Sequence, residues 1–553
     1  MKKNIWTLGL ALALCGSSCS DVLDLYPGDR FSPATVWSTT TTVDNYVLGL
    51  YSIIGVNSEI YGDAAPKLSD AYSDILKCGD WDLYGTNFNK TLFQASAFDS
   101  NSAGAFECWE SHYGRIRREN EFLRDAPAYK EKFGEEWINT RIAEVRFCRA
   151  YAYYLLCRVY GGVILRTEVD GPEENDKARS SEEECWNFII TELQQLAPML
   201  PVGNKGTSEN WDDANYGRIT QQAAYGFLSR VALYAERWDV AADAARKVAE
   251  CGADLDWSGY ANVFNGDIQN NKEILLAVDF QRDVITHRYD MYVRPSGDGK
   301  ALGYSTSSIY APTNELVDSY EMADGTEFSW DKHGDNPYEG REPRFYATIL
   351  YNGASWMGRT IQSYVGGDDG YKDYENAGAS NTTVTGYYLR KYLQDGDKGW
   401  TTAYSDQTWI IIRYAEVLLN KAEALAQLSW EQNSTEALQA LNDVRRRVGL
   451  PARQTADKET FMEYLRHERM VELAGEGFRY WDLRRWRLAE EVINGKNVHG
   501  MKITKQGDDS FLYEEVDADA GNKRIFYERY YRFAIPESER SKNKLCTNNE
   551  GWV

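Results

Sequence analysis

The chain has 553 residues, 43% hydrophobic and 26% charged, the composition of a folded body large enough for a substantial core. Its formal net charge is −23, or −25 once Lys2 and Lys3 are removed with a leader, so it repels phosphate backbones and anionic lipid. Nucleic acid is thereby excluded as a ligand, and membrane attachment has to come from something other than surface charge.

Residues 1–18 read as a secretory signal: Lys2 and Lys3 form a positive start, Ile5 to Leu14 a short apolar stretch, and Gly16, Ser17 and Ser18 a small-residue exit. The apolar stretch falls well short of the roughly 20 residues that span a bilayer, so it marks processing rather than an anchor helix. Cys19 follows the small residues and is the expected lipidation site. Cys15 is the rival position, disfavoured by bulky Leu14 before it, while Gly16 replaces the usual Leu or Val. An ordinary signal peptide with an incidental cysteine is the alternative. Ser20 to Pro27 turn abruptly polar, as a tether would. Nine cysteines occur, at 15, 19, 78, 108, 148, 157, 185, 251 and 546. Maturation leaves seven, an odd number. Cys148 and Cys157 lie more than two turns apart on one predicted helix and cannot bridge each other. No CxxC is present, so no zinc knuckle or redox pair is expected.

Helical periodicity dominates the rest. Over 136–160 Ile138, Ile142, Val145, Ala152, Leu155, Leu156 and Val159 recur at three- and four-residue spacing, and Gly161-Gly162 ends the run. Segments 181–197, 218–236, 238–251, 409–428, 434–448 and 458–474 read the same way. Leu228, Ser229, Ala232, Trp238, Ala241, Ala245 and Val248 follow the tetratricopeptide pattern, in which small residues let two helices approach closely. Ala422, Leu425, Ala437, Leu441 and Val444 form a looser copy; generic antiparallel helices are the alternative. Between the helical parts, over about 255–405, Gly, Asp, Asn, Ser and Tyr crowd together, with short apolar runs at Ile274 to Val278 and Phe345 to Leu350. Loops of that length in an aromatic-rich chain point to function rather than disorder. A single body over 19–553 is expected, helical to about 254 and again from about 406, around this loop-rich insertion.

Several blocks then carry a resemblance. Ala143 to Tyr151 lead into Arg158-Val159-Tyr160-Gly161-Gly162-Val163. Pro312 to Tyr320 are followed by Asp324-Gly325 and Pro343-Arg344-Phe345. Arg413 to Ala424 precede Leu441-Asn442-Asp443-Val444-Arg445. Glu468-Arg469, Glu472-Leu473, Gly475 to Trp486 and Ile535-Pro536 close the series. In this order, behind a lipoprotein-type signal, they resemble the SusD/RagB family of surface nutrient-binding lipoproteins. The resemblance implies a mainly α fold: tetratricopeptide-like helical hairpins in a right-handed superhelical scaffold, with long loops and a few short strands forming an irregular ligand-binding half. It also implies a lipid-anchored protein at the cell-surface face of the outer membrane. There it would capture an oligosaccharide and pass it to a SusC-like TonB-dependent transporter. A peptide ligand, as in the RagB branch, and a surface glycosidase are the alternatives.

Sites of chemistry are scarce. The five His share no metal-ligand spacing, and His467-Glu468 is followed by Val471 where a zincin needs His. Gly299-Lys300 lacks the upstream glycine of a phosphate loop, and Trp400 stands where a calcium loop needs its turn glycine. No metal, cofactor or catalytic residue is expected, although two carboxylates among 84 acids would suffice for a glycosidase. Glu468–Glu472, Glu472–Glu476 and Asp482–Arg485 each sit one helical turn apart, with Arg469, Arg479 and Arg484 at hand, and read as packing charges. So do Arg413 with Glu416 and Arg146 with Glu144. The positive feature is aromatic: 38 Tyr and 17 Trp, rings whose flat faces pack on sugar C–H groups while their polar tips stay wet. The candidate ligand residues in the loops are Trp81, Tyr84, Asn87, Tyr292, Tyr304, Trp356, Arg359, Tyr364 and Tyr371, with Trp81 and Trp356 foremost.

Overall fold

The protein is described by a computed structural model over residues 33–56, 59–60, 67–79, 88–171, 174, 176–203, 217–265, 271–282, 284–302, 306, 308–374, 382–394 and 404–552. Cys19 and the signal segment lie outside the described residues. The chain parts into two compact units, residues 1–49 and 50–553. Helix α1 (Thr40–Leu50) begins in the first, where it buries Val43 and Val47.

The second unit is built on α2 (Trp109–Asp125), α3 (Glu135–Tyr160), α4 (Glu182–Leu196), α5 (Gln221–Tyr234), α6 (Trp238–Glu250), α7 (Tyr414–Leu428), α8 (Trp430–Arg447), α9 (Lys458–Glu472) and the short α10 (Arg479–Arg485). They pack in series, each against the next from α2 to α9. Local chemistry sets the ends. Ser181 and Glu184 form a reciprocal capping box at the start of α4, and Gly161 ends α3 at a φ of 72°, which side chains resist. The small residues of the repeat pattern are buried, Ser229, Ala232, Ala241 and Ala245 in the α5–α6 hairpin and Ala422 and Ala437 in α7–α8, so these helices pack with Ala in place of bulk.

Two stretches depart from the periodicity. Residues 409–413 are the fully buried strand β8 (Trp409–Arg413), not the first turn of a helix. Its Ile410-Ile411-Ile412 run suits a pleated strand, and it pairs antiparallel with β2 (Ile274–Val278) across a bulge. The apolar run at Phe345 is the helical turn Pro343–Thr348 followed by a two-residue strand, β4 (Ile349–Leu350), because Pro343 opens a helix. The remaining strands are short: β1 (Leu76–Cys78) pairs with β3 (Tyr310–Pro312), β4 with β7 (Tyr388–Leu389), and β5 (Ser355–Trp356) with β6 (Arg359–Thr360). A longer hairpin joins β9 (His499–Lys505) to β10 (Phe511–Asp517).

The charged blocks meet in the interior. Glu472, at the end of α9, accepts hydrogen bonds from Arg413 (2.6 Å), Arg344 (3.1 Å) and Arg447. Arg413 also donates to Glu476 at 2.7 Å and Glu273 at 3.0 Å, and Lys391 donates to Glu476 at 2.6 Å. All of these side chains are nearly inaccessible to water. The acids of 468–476 are therefore neutralised from distant segments rather than by the neighbouring arginines. Of those neighbours, Arg469 and Arg485 both hold Asp482 at 2.8 Å. Arg479 instead pairs with Asp74 at 2.8 Å, and Arg484 donates to the backbone carbonyl of Tyr531 at 3.0 Å. Likewise Glu416 takes Arg230 (2.7 Å), Glu144 takes Arg141 (2.7 Å) and Arg218 (2.8 Å), and Arg146 takes Glu192 (2.8 Å).

The turn after α9 needs its glycines. Gly475 and Gly477 have φ of 75° and 81°, and a Cβ on Gly477 would lie 2.4 Å from a Glu59 oxygen. Asp70 accepts from the backbone N–H groups of Gly475, Gly477 and Arg479 at 2.9 to 3.1 Å. Burial lifts Asp70 to about 7 and its neighbour Glu59 to about 8. The seven described cysteines are free, and the Cys185 thiol lies 3.6 Å from the Val163 carbonyl oxygen.

Candidate functional site

The loop-rich segment converges on residues 281–298 and their neighbours. His287 and Ser405 exchange backbone hydrogen bonds of 2.9 and 2.8 Å, which fixes Tyr404 beside Arg288. Arg288 donates to the Tyr404 hydroxyl at 2.8 Å and its guanidinium carbon lies 5.0 Å from that ring's centroid. The Tyr404 bond, set against partial burial, holds the Arg288 charge more firmly than in free solution. Tyr404 is 41% exposed, and Ile285 (40%) and Val284 (72%) are exposed on the turn closed by Gln281 and Ile285. Polar groups border it: Asp406 accepts from Gln394 at 2.6 Å and pairs with Arg282 at 3.6 Å. The Gln394 side-chain oxygen is buried, with no hydrogen-bond partner among the described residues. An exposed ring flanked by a guanidinium, a carboxylate and an amide is what a sugar needs, C–H face on the ring and hydroxyls on the polar edge.

One turn further, Asp298 gathers the second cluster. It accepts from the Trp356 indole N–H at 2.8 Å, from Arg359 Nε at 2.9 Å and from Arg294 at 3.3 Å. Arg359 also donates to Asp369 at 2.7 and 2.8 Å. Burial disfavours the Arg359 charge, but these two carboxylates more than offset it and hold its pKa above the ordinary value. A Cβ at Gly297 would lie 2.7 Å from Asp369, so the helical turn 296–302 reaches this ion cluster only because residue 297 lacks a side chain.

Of the nine residues singled out in the sequence, Trp81, Tyr84, Asn87 and Tyr304 lie outside the described residues. The other five share one region but differ in role. Trp356 is only 2% exposed, with Arg294 and Arg390 packed over its ring at 5.5 and 5.6 Å, so in this conformation it braces the loop and presents no free face. Tyr292 (3%) and Tyr371 (6%) are buried as well, the latter donating to Asp373 at 3.0 Å. Arg359 is held by its two acids. Tyr364 is half-buried, 5.6 Å from Phe511 and next to exposed Val365 and Leu512. Tyr404 and Arg288 were not singled out: Tyr404 is one tyrosine among 38, and only the pairing of residue 287 with 405 brings it to Arg288.

Asp298→Asn would leave Arg294 and Arg359 one carboxylate short in a buried setting. We expect about 3 kcal/mol of destabilisation and faster amide hydrogen exchange over 296–302 and 355–360, read by mass spectrometry.

Comparison with known proteins bears on this geometry. A model described as SusD family matches residues 272–552, just over half of the chain, including Arg288, Asp298, Trp356, Arg359 and Tyr404. The chain belongs to the SusD family. A second model, described as starch-binding associating with outer membrane, matches residues 22–233. A SusD-like protein of Formosa agariphila is 26% identical over 569 aligned positions, covering 100% of both chains. Another from that organism is 25% identical over 86% of this chain and 88% of its own. Among solved structures, a SusD-like protein from Bacteroides fragilis has a TM-score of 0.79 at 27% identity, covering 94% of this chain and 98% of that one. A SusD-like carbohydrate binding protein from the same species gives 0.77 at 25% identity, over 92% and 99%. The mainly helical SusD fold with few short strands is thus shared along the whole body. No helix among the described residues of this SusD-family chain is long and apolar enough to cross a membrane.

Proposed function

We propose that this SusD-family chain is a lipoprotein of the outer membrane, anchored through Cys19 at the cell surface, that captures an oligosaccharide and passes it to a SusC-like TonB-dependent transporter. It breaks no bond. Loops supply the binding surface and the packed helices a broad docking face. The observation that carries the reading is the Tyr404–Arg288 platform: an exposed aromatic face with convergent polar groups, in a family that includes a protein described as carbohydrate binding. Burial raises the carboxyl pKa of Glu59, Asp70, Glu119, Glu315, Asp318 and Glu342; of these, Glu315 accepts from His499, Asp318 from the Trp330 indole and Glu342 from Arg344. Glu59 accepts from the Ser69 N–H at 2.9 Å, Asp70 orders the turn after α9, and Glu119 is fully enclosed.

Native affinity electrophoresis through gels containing a panel of polysaccharides tests the binding step. At least one neutral glycan retards the protein, and Tyr404→Ala weakens that retardation by about tenfold in affinity, roughly 1.4 kcal/mol, without lowering the melting temperature. Absence of retardation by any glycan overturns the reading. Delivery is tested by mild detergent extraction: the protein co-isolates with a large β-barrel, and isolation alone contradicts that step.

A further inference from the structure

A second feature lies away from the loops, where two cavities of about 520 and 870 Å³ adjoin along the ends of α3, α6, α9 and α10, sharing Arg487 and Arg532 in their walls. The walls are rich in arginine, in a chain whose net charge is −23. Some of that charge is spent. Arg532 pairs with Glu182 at 2.6 Å, Arg485 with Glu423 at 2.7 Å and Arg487 with Glu528 at 2.8 Å. Four others, Arg158, Arg466, Arg484 and Arg529, have no carboxylate partner among the described residues. Arg484 is committed to backbone carbonyls. The other three have Nε atoms that are buried with no hydrogen-bond partner. Each rests on a ring: Arg158 lies 4.0 Å from Trp481, Arg466 5.8 Å from Trp486 and Arg529 4.7 Å from Trp552. Facing them, the walls carry only two acids without an arginine partner, exposed Glu236 and Glu550.

A guanidinium laid on an aromatic face keeps its in-plane N–H donors free, and that planar fork matches the two oxygens of a carboxylate or sulfate. Three such forks along one continuous groove suit a chain that bears oxyanions at intervals. Between the arginines, Trp238 and exposed Tyr527 offer ring surface, the complement of a sugar's C–H face. None of the lining residues belongs to a β-strand, so the groove has no free backbone edge on which an extended peptide would register. We infer that this groove is a second binding site, for an acidic oligosaccharide whose carboxylate or sulfate groups are held by Arg158, Arg466 and Arg529. The site stands independently of the Tyr404 platform.

Isothermal titration of the purified protein tests this with tetragalacturonate, a sulfated galactan tetrasaccharide, neutral galactotetraose and a tetraglutamate peptide. Arg466→Gln, Arg529→Gln and the double variant run beside the parent and Tyr404→Ala. Both arginines are only partly buried and break no ion pair when replaced, so the melting temperature stays unchanged. One or both acidic sugars bind, which separates carboxylate from sulfate recognition. The dissociation constant rises about tenfold or more in the double variant and again in 0.5 M salt, and Tyr404→Ala leaves it unchanged. Three results would overturn the inference: no binding of either acidic sugar, binding that the double variant leaves within about twofold, or tighter binding of the neutral sugar or the peptide.

Discussion

Glu472→Gln lowers stability by about 3–5 kcal/mol, the cost of leaving buried charges unpaired, and a chemical denaturation series on parent and variant reads it directly. The magnitude follows from what Glu472 holds. It sits in the interior between Arg413, Arg344 and Arg447, and those arginines come from β8, from the turn opening at Pro343 and from α8. Removing its charge leaves three buried guanidinium groups to share Glu273, Glu342, Glu468 and Glu476. The same arrangement sets the acid limit. Burial alone would raise the Glu472 pKa, but Arg447, Arg413 and Arg344 outweigh it and hold the carboxyl far below its ordinary range. Asp519, paired with Arg524 and Lys77, is likewise lowered to about 2. Carboxyls of the unfolded chain titrate near about 4. This stabilisation is therefore complete above that pH and is lost as the pH falls through the folded values. The parent withstands mild acid, and Glu472→Gln unfolds at a higher pH than the parent does.

Glu119→Gln has the opposite sign and appears at the other end of the scale. Glu119 lies on α2 with both carboxylate oxygens buried and without a hydrogen-bond partner. Burial lifts its pKa to about 8, against the partial relief offered by Arg149 and Arg115. A carboxyl raised in the folded state favours folding below its unfolded value and loses that contribution as the pH rises through the folded one. Parent stability therefore declines between about pH 4.5 and 8, where glutamine, which never ionises, shows no such decline. The variant matches the parent near pH 4.5 and exceeds it by up to about 4 kcal/mol at pH 8 to 9. Denaturation midpoints across that range check it, and a constant difference at all pH values would contradict it.

The helices were legible because their cores repeat every three to four residues and their ends carry explicit chemistry, such as Ser181 with Glu184 and the glycine at 161. The strand at 409–413 was not, because a short apolar run fits either period until its partner is known. The partner, β2, lies more than 130 residues upstream. Charge assignment held for Asp482, which nearby Arg469 and Arg485 pair, and failed for the glutamates for the same reason. Within 468–485 the sequence offers nearby arginines for every acid, yet burial rewards geometry over proximity, and Arg413, Arg447 and Arg344 arrive from elsewhere. In the loops, composition located the aromatic-rich region but could not separate bracing rings from exposed ones. Trp356 and Tyr404 look equivalent in sequence. Only the contact of the first with Asp298 and the pairing of residues 287 and 405 beside the second tell them apart.

The central claim is capture without catalysis, and one measurement addresses both halves. The glycan that retards the protein in gels is cut to a defined oligosaccharide, titrated calorimetrically, held with excess protein overnight and then recovered for chain-length analysis. Saturable binding with the sugar recovered at its original length is the predicted result. A shortened sugar, or no heat of binding from any oligosaccharide, would contradict it.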